Sequence, residues 1–121
     1  MPYVKVRTSK TLTPEQHSEL NSGLGISLET IPGKDRSMLI LDLEEGRTFF
    51  YSGKKQDNFA FVEVHYFGNF SYHVKQELTE SVFGVLANVL GTTPETATLS
   101  ITEHTTWGCF GKFIDMYYPE N

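Results

Sequence analysis

Two residues in this chain have types and settings that could do acid–base chemistry: Pro2 and Lys34. Removal of an initiator methionine ahead of a small residue such as proline would leave Pro2 as the free N-terminus. A terminal prolyl nitrogen is a secondary amine, unlike any internal residue. An α-amino group normally titrates near 7.7–8.0. Desolvation and a nearby cation would push that value down, leaving a base competent at neutral pH. With Met1 retained the same nitrogen is a tertiary amide and has no basicity. Lys34 follows in Pro32-Gly33-Lys34, where a cation could hold an anionic substrate beside Pro2. Both residues also have ordinary readings. Met-Pro is a commonplace start, and a lysine after a helix is favoured by the helix dipole.

The other titratable residues carry less. His17, His65, His73 and His104 show no metal-ligand spacing, and none forms an evident nucleophile pair with Cys109. His65 falls on an expected strand, as a core or pocket-rim residue, and Cys109 reads as a small buried hydrophobe. A single cysteine excludes an intrachain disulfide and a thiolate metal cage. Gly23-Leu24-Gly25 lies inside an expected helix and lacks the strand–turn setting of a phosphate loop.

The elements that must position these residues follow from periodicity. Tyr3 to Thr8 alternates as a strand, with Val4 and Val6 on one face and Lys5 and Arg7 on the other. Thr13-Pro14-Glu15-Gln16 opens a helix with a capping box and proline in the first turn. Leu20, Leu24 and Leu28 give that helix its stripe to about Thr30. Ser37 to Leu43 reads as a strand buried on both faces, and Arg47 to Tyr51 as a short aromatic strand. Gly53 to Asn58 reads as a polar loop. The plan then repeats: a strand from Phe59 to Tyr66, a helix from about Ser71 to Leu90 stopped by Gly91, and a strand from Ala97 to Glu103. Two βαβ units of similar length imply an α+β fold. Its single mixed four-stranded sheet would carry both helices on one face, with short extra strands besides. Strands apolar on both faces would leave one face bare, and self-association is the simplest way to cover it.

Bulk composition excludes several classes. The chain has 121 residues, enough for one domain with its own core. Its 39% hydrophobic and 21% charged residues suit a folded globule rather than a disordered chain. A net charge of −5 with no basic stripe disfavours nucleic-acid binding. No stretch approaches a membrane span of about 18 apolar residues. The N-terminus lacks signal-peptide shape, so a cytoplasmic location is the expectation. The aromatic tail, with Trp107, Phe110, Phe113, Ile114, Met116, Tyr117 and Tyr118, fits a subunit interface, the wall of a pocket for an aromatic ligand, or both.

Taken together, the chain resembles the macrophage migration inhibitory factor (MIF) branch of the tautomerase superfamily. The resemblance runs from Pro2 to about Glu103, with one small insertion near Lys54–Asn58. Its landmarks are Met1-Pro2, Gly33-Lys34, Phe49-Phe50-Tyr51-Ser52-Gly53, Val64-His65-Tyr66-Phe67-Gly68, the leucine- and valine-rich second helix, and Pro94-Glu95. It implies a homotrimer whose sheets form a central barrel-like core. It also implies cofactor-independent keto–enol tautomerisation of phenylpyruvate-like acids at subunit boundaries. By matching position Pro2 would shuttle the proton and Lys34 would bind the substrate carboxylate. The backbone amide at Phe67, where the family has isoleucine, would help orient the substrate. Met38 takes the place of an aromatic, and Trp107 and Phe110 would supply pocket wall. Thr98 and Ser100 stand where better-known members send a tyrosine and an asparagine across the subunit boundary. The redox Cys-x-x-Cys of some members is absent, Phe59 to Val62 occupying that region. Some members are leaderless secreted signals that engage a protein receptor. A catalytically weak cytokine or binding protein is therefore the alternative to an enzyme.

Overall fold

The structure is a computed structural model and describes residues 1–118. Strand β1 (Tyr3–Thr8) leads to helix α1 (Pro14–Leu28), and a 3-10 turn (Arg36–Met38) precedes β2 (Ile40–Glu44). A two-residue hairpin, β3 (Phe50–Tyr51) and β4 (Lys54–Lys55), comes next. The second unit is β5 (Ala60–Phe67), α2 (Tyr72–Leu90) and β6 (Ala97–His104), followed by a hairpin of β7 (Thr106–Cys109) and β8 (Lys112–Asp115). The main sheet has the order β2-β1-β5-β6. Strand β1 runs parallel to β2 and antiparallel to β5, and β5 runs parallel to β6. Among the described residues no helix is long and apolar enough to cross a membrane.

Local chemistry explains the element ends. Thr13 caps α1, its side chain accepting from the Gln16 amide while the Gln16 side chain accepts from the Thr13 amide. Such a cap stabilises by about 1 kcal/mol. Ser71 caps α2, and Gly91 ends it in the left-handed conformation at φ 71°. Gly23, a weak helix former, has a packing reason. A Cβ there would lie 2.8 Å from a Val85 methyl, so the glycine lets α1 and α2 touch.

Both helices pack on one face of the sheet. Val4, Val6, Ala60, Val62, Val64 and Tyr66 from the sheet meet Leu20, Leu24, Leu28, Leu78, Val82 and Leu86 from the helices. The opposite face corrects the expectation of strands apolar on both sides. It carries Lys5, Arg7, Asp42, Glu44, Glu63, His65, Ser100 and His104, because alternation sends every second residue there. Hydrophobic burial alone therefore gives no reason to cover it.

Three expectations change in detail. The strand expected over Ser37–Leu43 begins only at Ile40, because the Asp35 carboxylate accepts from both the Ser37 amide and hydroxyl and winds residues 36–38 into a 3-10 turn. Nor is that strand buried on both faces, since Ile40 is 43% exposed. Within the expected polar loop, Lys54–Lys55 pairs with Phe50–Tyr51. The tail folds into β7–β8, turning at Phe110-Gly111 with positive φ at both residues.

Candidate active site

The two βαβ units bring Pro2, Lys34 and Phe67 to one end of the sheet. Pro2 is buried at the start of β1, and its carbonyl accepts from the Ile40 amide at 2.9 Å. Tyr3 faces His65 across the β1–β5 ladder, so Pro2 stands one step further along, beside the Tyr66–Phe67 end of β5. Lys34 arrives from the other direction. The Pro32-Gly33 turn closes with the Lys34 amide donating to the Ile31 carbonyl at 3.1 Å. The Lys34 ammonium then donates to the Phe67 carbonyl at 3.2 Å.

The electrostatics of Lys34 suit an anion site. Burial pushes its ammonium below the ordinary lysine range, and the neighbouring Cys109 sulfur acts the other way. An ammonium has three donors, and Phe67 takes one. Two remain for an acceptor such as a carboxylate.

The Phe67 carbonyl is held in place by a brace that sequence reasoning missed. One oxygen of Glu103 accepts from the Tyr66 hydroxyl at 2.9 Å and from the Phe70 amide at 2.8 Å. The other accepts from Lys75 at 3.4 Å. Burial opposes ionisation of Glu103, but the Phe70, Tyr66 and Lys75 donors outweigh it and hold the carboxyl below its usual range. Burial, reinforced by the bond to Glu103, pushes the Tyr66 phenol well up. Gly68 completes the turn at φ 137°, where a Cβ would lie 2.8 Å from the Phe70 ring. The Tyr-Phe-Gly-Asn-Phe run marks a strand ending in a tight turn. Nothing in it marks a carboxylate 37 residues away in sequence.

The remaining candidates are placed unequally. Met38 ends the 3-10 turn that feeds β2 toward Pro2, and its side chain is largely exposed. Arg36 braces that turn with two hydrogen bonds to Glu29, at 3.1 and 2.7 Å. Trp107 is half-buried and meets the His104 ring edge-on at 5.3 Å. Phe110 stands at the β7–β8 turn, 83% exposed, and is not brought to Lys34 within one chain. Thr98 and Ser100 lie on the open face of β6. His65 pairs with His104, Nδ1 to Nε2 at 3.0 Å, with Glu63 3.4 Å from its other nitrogen. Cys109 is half-buried and close enough to Lys34 to act on its charge, rather than an inert core residue.

No protein-family model matches this sequence, and no curated protein matches it. Solved structures do match. Leishmania major MIF2 superposes with a TM-score of 0.85 at 16% identity, over 94% of this chain and 97% of that one. Pt0534, in a crystal structure of the protein inactivated by 2-oxo-3-pentynoate, gives a TM-score of 0.81 at 12% identity, over 90% of this chain and 93% of that one. A macrophage migration inhibitory factor homologue from Prochlorococcus marinus gives 0.73 at 22% identity, over 92% and 97%. At these identities the likeness establishes the fold, which is the MIF-like fold of the tautomerase superfamily.

Proposed function

We propose that this chain is a cofactor-independent keto–enol tautomerase for phenylpyruvate-like 2-oxo acids, with Pro2 as general base and acid once Met1 is removed. The observation that carries the reading is the Lys34–Phe67 hydrogen bond at the sheet end where Pro2 begins β1. It fixes a cation with spare donors beside the only residue able to become a secondary amine at an N-terminus.

In the proposed reaction Lys34 holds the substrate carboxylate. The Pro2 nitrogen takes a proton from C3, and the C–H electron pair becomes the C2–C3 double bond. Charge moves to the C2 oxygen, which is then protonated, and the Pro2 proton returns by the reverse path. That Pt0534 was captured inactivated by a 2-oxo acid supports a substrate of this class for the shared fold. The proposed assembly is a homotrimer, with Trp107 and Phe110 walling a pocket at subunit boundaries. The exposed Phe50, Tyr51, Phe110, Phe113 and Tyr117 supply apolar surface for such contacts.

The alternative is a MIF-like cytokine or binding protein that keeps the fold without useful turnover. Thr98 and Ser100 favour it, being too short to reach far across a boundary. Enol-to-keto conversion of phenylpyruvate separates the two readings, measured on protein lacking Met1 and on protein retaining it. The proposal expects turnover only without Met1. Equal rates in both forms, or none in either, would overturn it.

A further inference from the structure

At the far end of the main sheet, five strand positions from Pro2 and roughly 17 Å away at the rise of an extended strand, lies an open groove of about 530 Å3. It is lined by Arg7, Gly46, Arg47, Thr48 and Phe49. Gly46 and Arg47 are held against β1 by their amides, which donate to the Lys10 and Thr8 carbonyls at 3.0 Å each. The groove's walls are therefore tied to the sheet.

Its charges do not balance. The Arg7 guanidinium stands 3.0 Å and that of Arg47 3.2 Å from one and the same oxygen of Glu44. The other Glu44 oxygen takes Lys5 at 2.7 Å. Lys5 has further acidic neighbours, facing Asp42 on β2 and Glu63 on β5. Arg7 has none on β5, where it faces Phe61. Asp42 is itself engaged by the Tyr3 hydroxyl, and Glu45 turns away to the Leu12 amide and His17. Two guanidiniums thus share a single oxygen of a carboxylate already used by a lysine. The Arg7 contact is also out of hydrogen-bond alignment, which leaves its buried Nε and that Glu44 oxygen without a hydrogen-bond partner among the described residues. Both arginines keep free fork donors at a half-exposed surface.

We propose that this groove binds a phosphate-type dianion through Arg7 and Arg47, with the Thr48 hydroxyl at the rim and Phe49 as an apolar wall. Two planar guanidiniums converging on one point match the oxygens of a tetrahedral dianion, which a lone carboxylate oxygen cannot saturate. The site is separate from Pro2 and does not depend on the tautomerase reading.

The test is calorimetric titration of the full chain with inorganic phosphate and with phenyl phosphate, chloride holding the ionic strength constant. Saturable one-to-one binding is expected, weakened at least tenfold by Arg47→Gln and by Arg7→Gln and unchanged by Lys112→Gln. Tighter binding of phenyl phosphate would identify an aromatic ester resting on Phe49, and equal binding the free ion. Arg47 lies on an exposed loop, so its variant decides the matter even if Arg7→Gln fails to fold. Binding no stronger than that of chloride, or wild-type binding by Arg47→Gln, would overturn the proposal. Pro2→Gly retains phosphate binding whatever it does to turnover.

Discussion

The Lys34 ammonium donates to the Phe67 carbonyl at 3.2 Å, joining the turn after the first helix to the last residue of β5. This contact crosses from one βαβ unit to the other. If its two spare donors hold a substrate carboxylate, Lys34→Ala removes charge-assisted hydrogen bonds worth about 1.5–3 kcal/mol. A fall in kcat/KM for phenylpyruvate of roughly ten- to a hundredfold is expected, carried mainly by KM. Steady-state kinetics on the variant check it.

Burial lowers the Lys34 pKa, so its charge is present at low pH and lost as pH rises through that lowered value. The expected alkaline limb in kcat/KM therefore begins below the ordinary lysine value of about 10.4. Lys34→Arg should abolish that limb, because a guanidinium does not deprotonate in this range. A pH–rate profile of both proteins settles the point, and an identical limb in the arginine variant would assign it elsewhere.

Glu103 ties Tyr66, Phe70 and Lys75 together behind the site. Truncation by Glu103→Ala leaves buried donors unpaired and should destabilise by about 1–3 kcal/mol in urea unfolding. The sign of the pH dependence follows from its lowered pKa. Its contribution is complete above the unfolded glutamate value, about 4.3, and is lost as pH falls through the folded value. The gap between wild type and variant should therefore narrow in acid.

Gly68 adopts φ 137° with the Phe70 ring 2.8 Å from any added Cβ. Gly68→Ala should cost about 1–3 kcal/mol in thermal or denaturant unfolding. It should also weaken substrate binding, because Phe67 immediately precedes the strained turn.

What could be read in the sequence was local. The Thr13–Gln16 box, the Gly91 stop and the alternation of Tyr3–Thr8 are set by neighbouring residues, and they appear in the structure as the sequence implies. Asp35 misled the reading of β2, because its side chain captures Ser37 locally while the apolar run suggests extension from Ser37 onward. The open sheet face was misjudged by treating Ser37–Leu43 as typical, when β1 and β5 alternate cleanly and send charges outward. Pro2 and Lys34 were legible because of their unusual setting. The Glu103 brace and the Arg7–Glu44–Arg47 cluster were not, since each joins residues from separate strands that no spacing rule connects.

The central claim is that the Pro2 nitrogen moves the proton. The most direct measurement is kcat/KM for phenylpyruvate enol-to-keto conversion by Pro2→Gly and wild type, each confirmed by intact mass to lack Met1. A positioned general base contributes about a hundred- to ten-thousandfold, so the account predicts a loss of at least a hundredfold with the fold intact. A folded Pro2→Gly within a few-fold of wild type would contradict it.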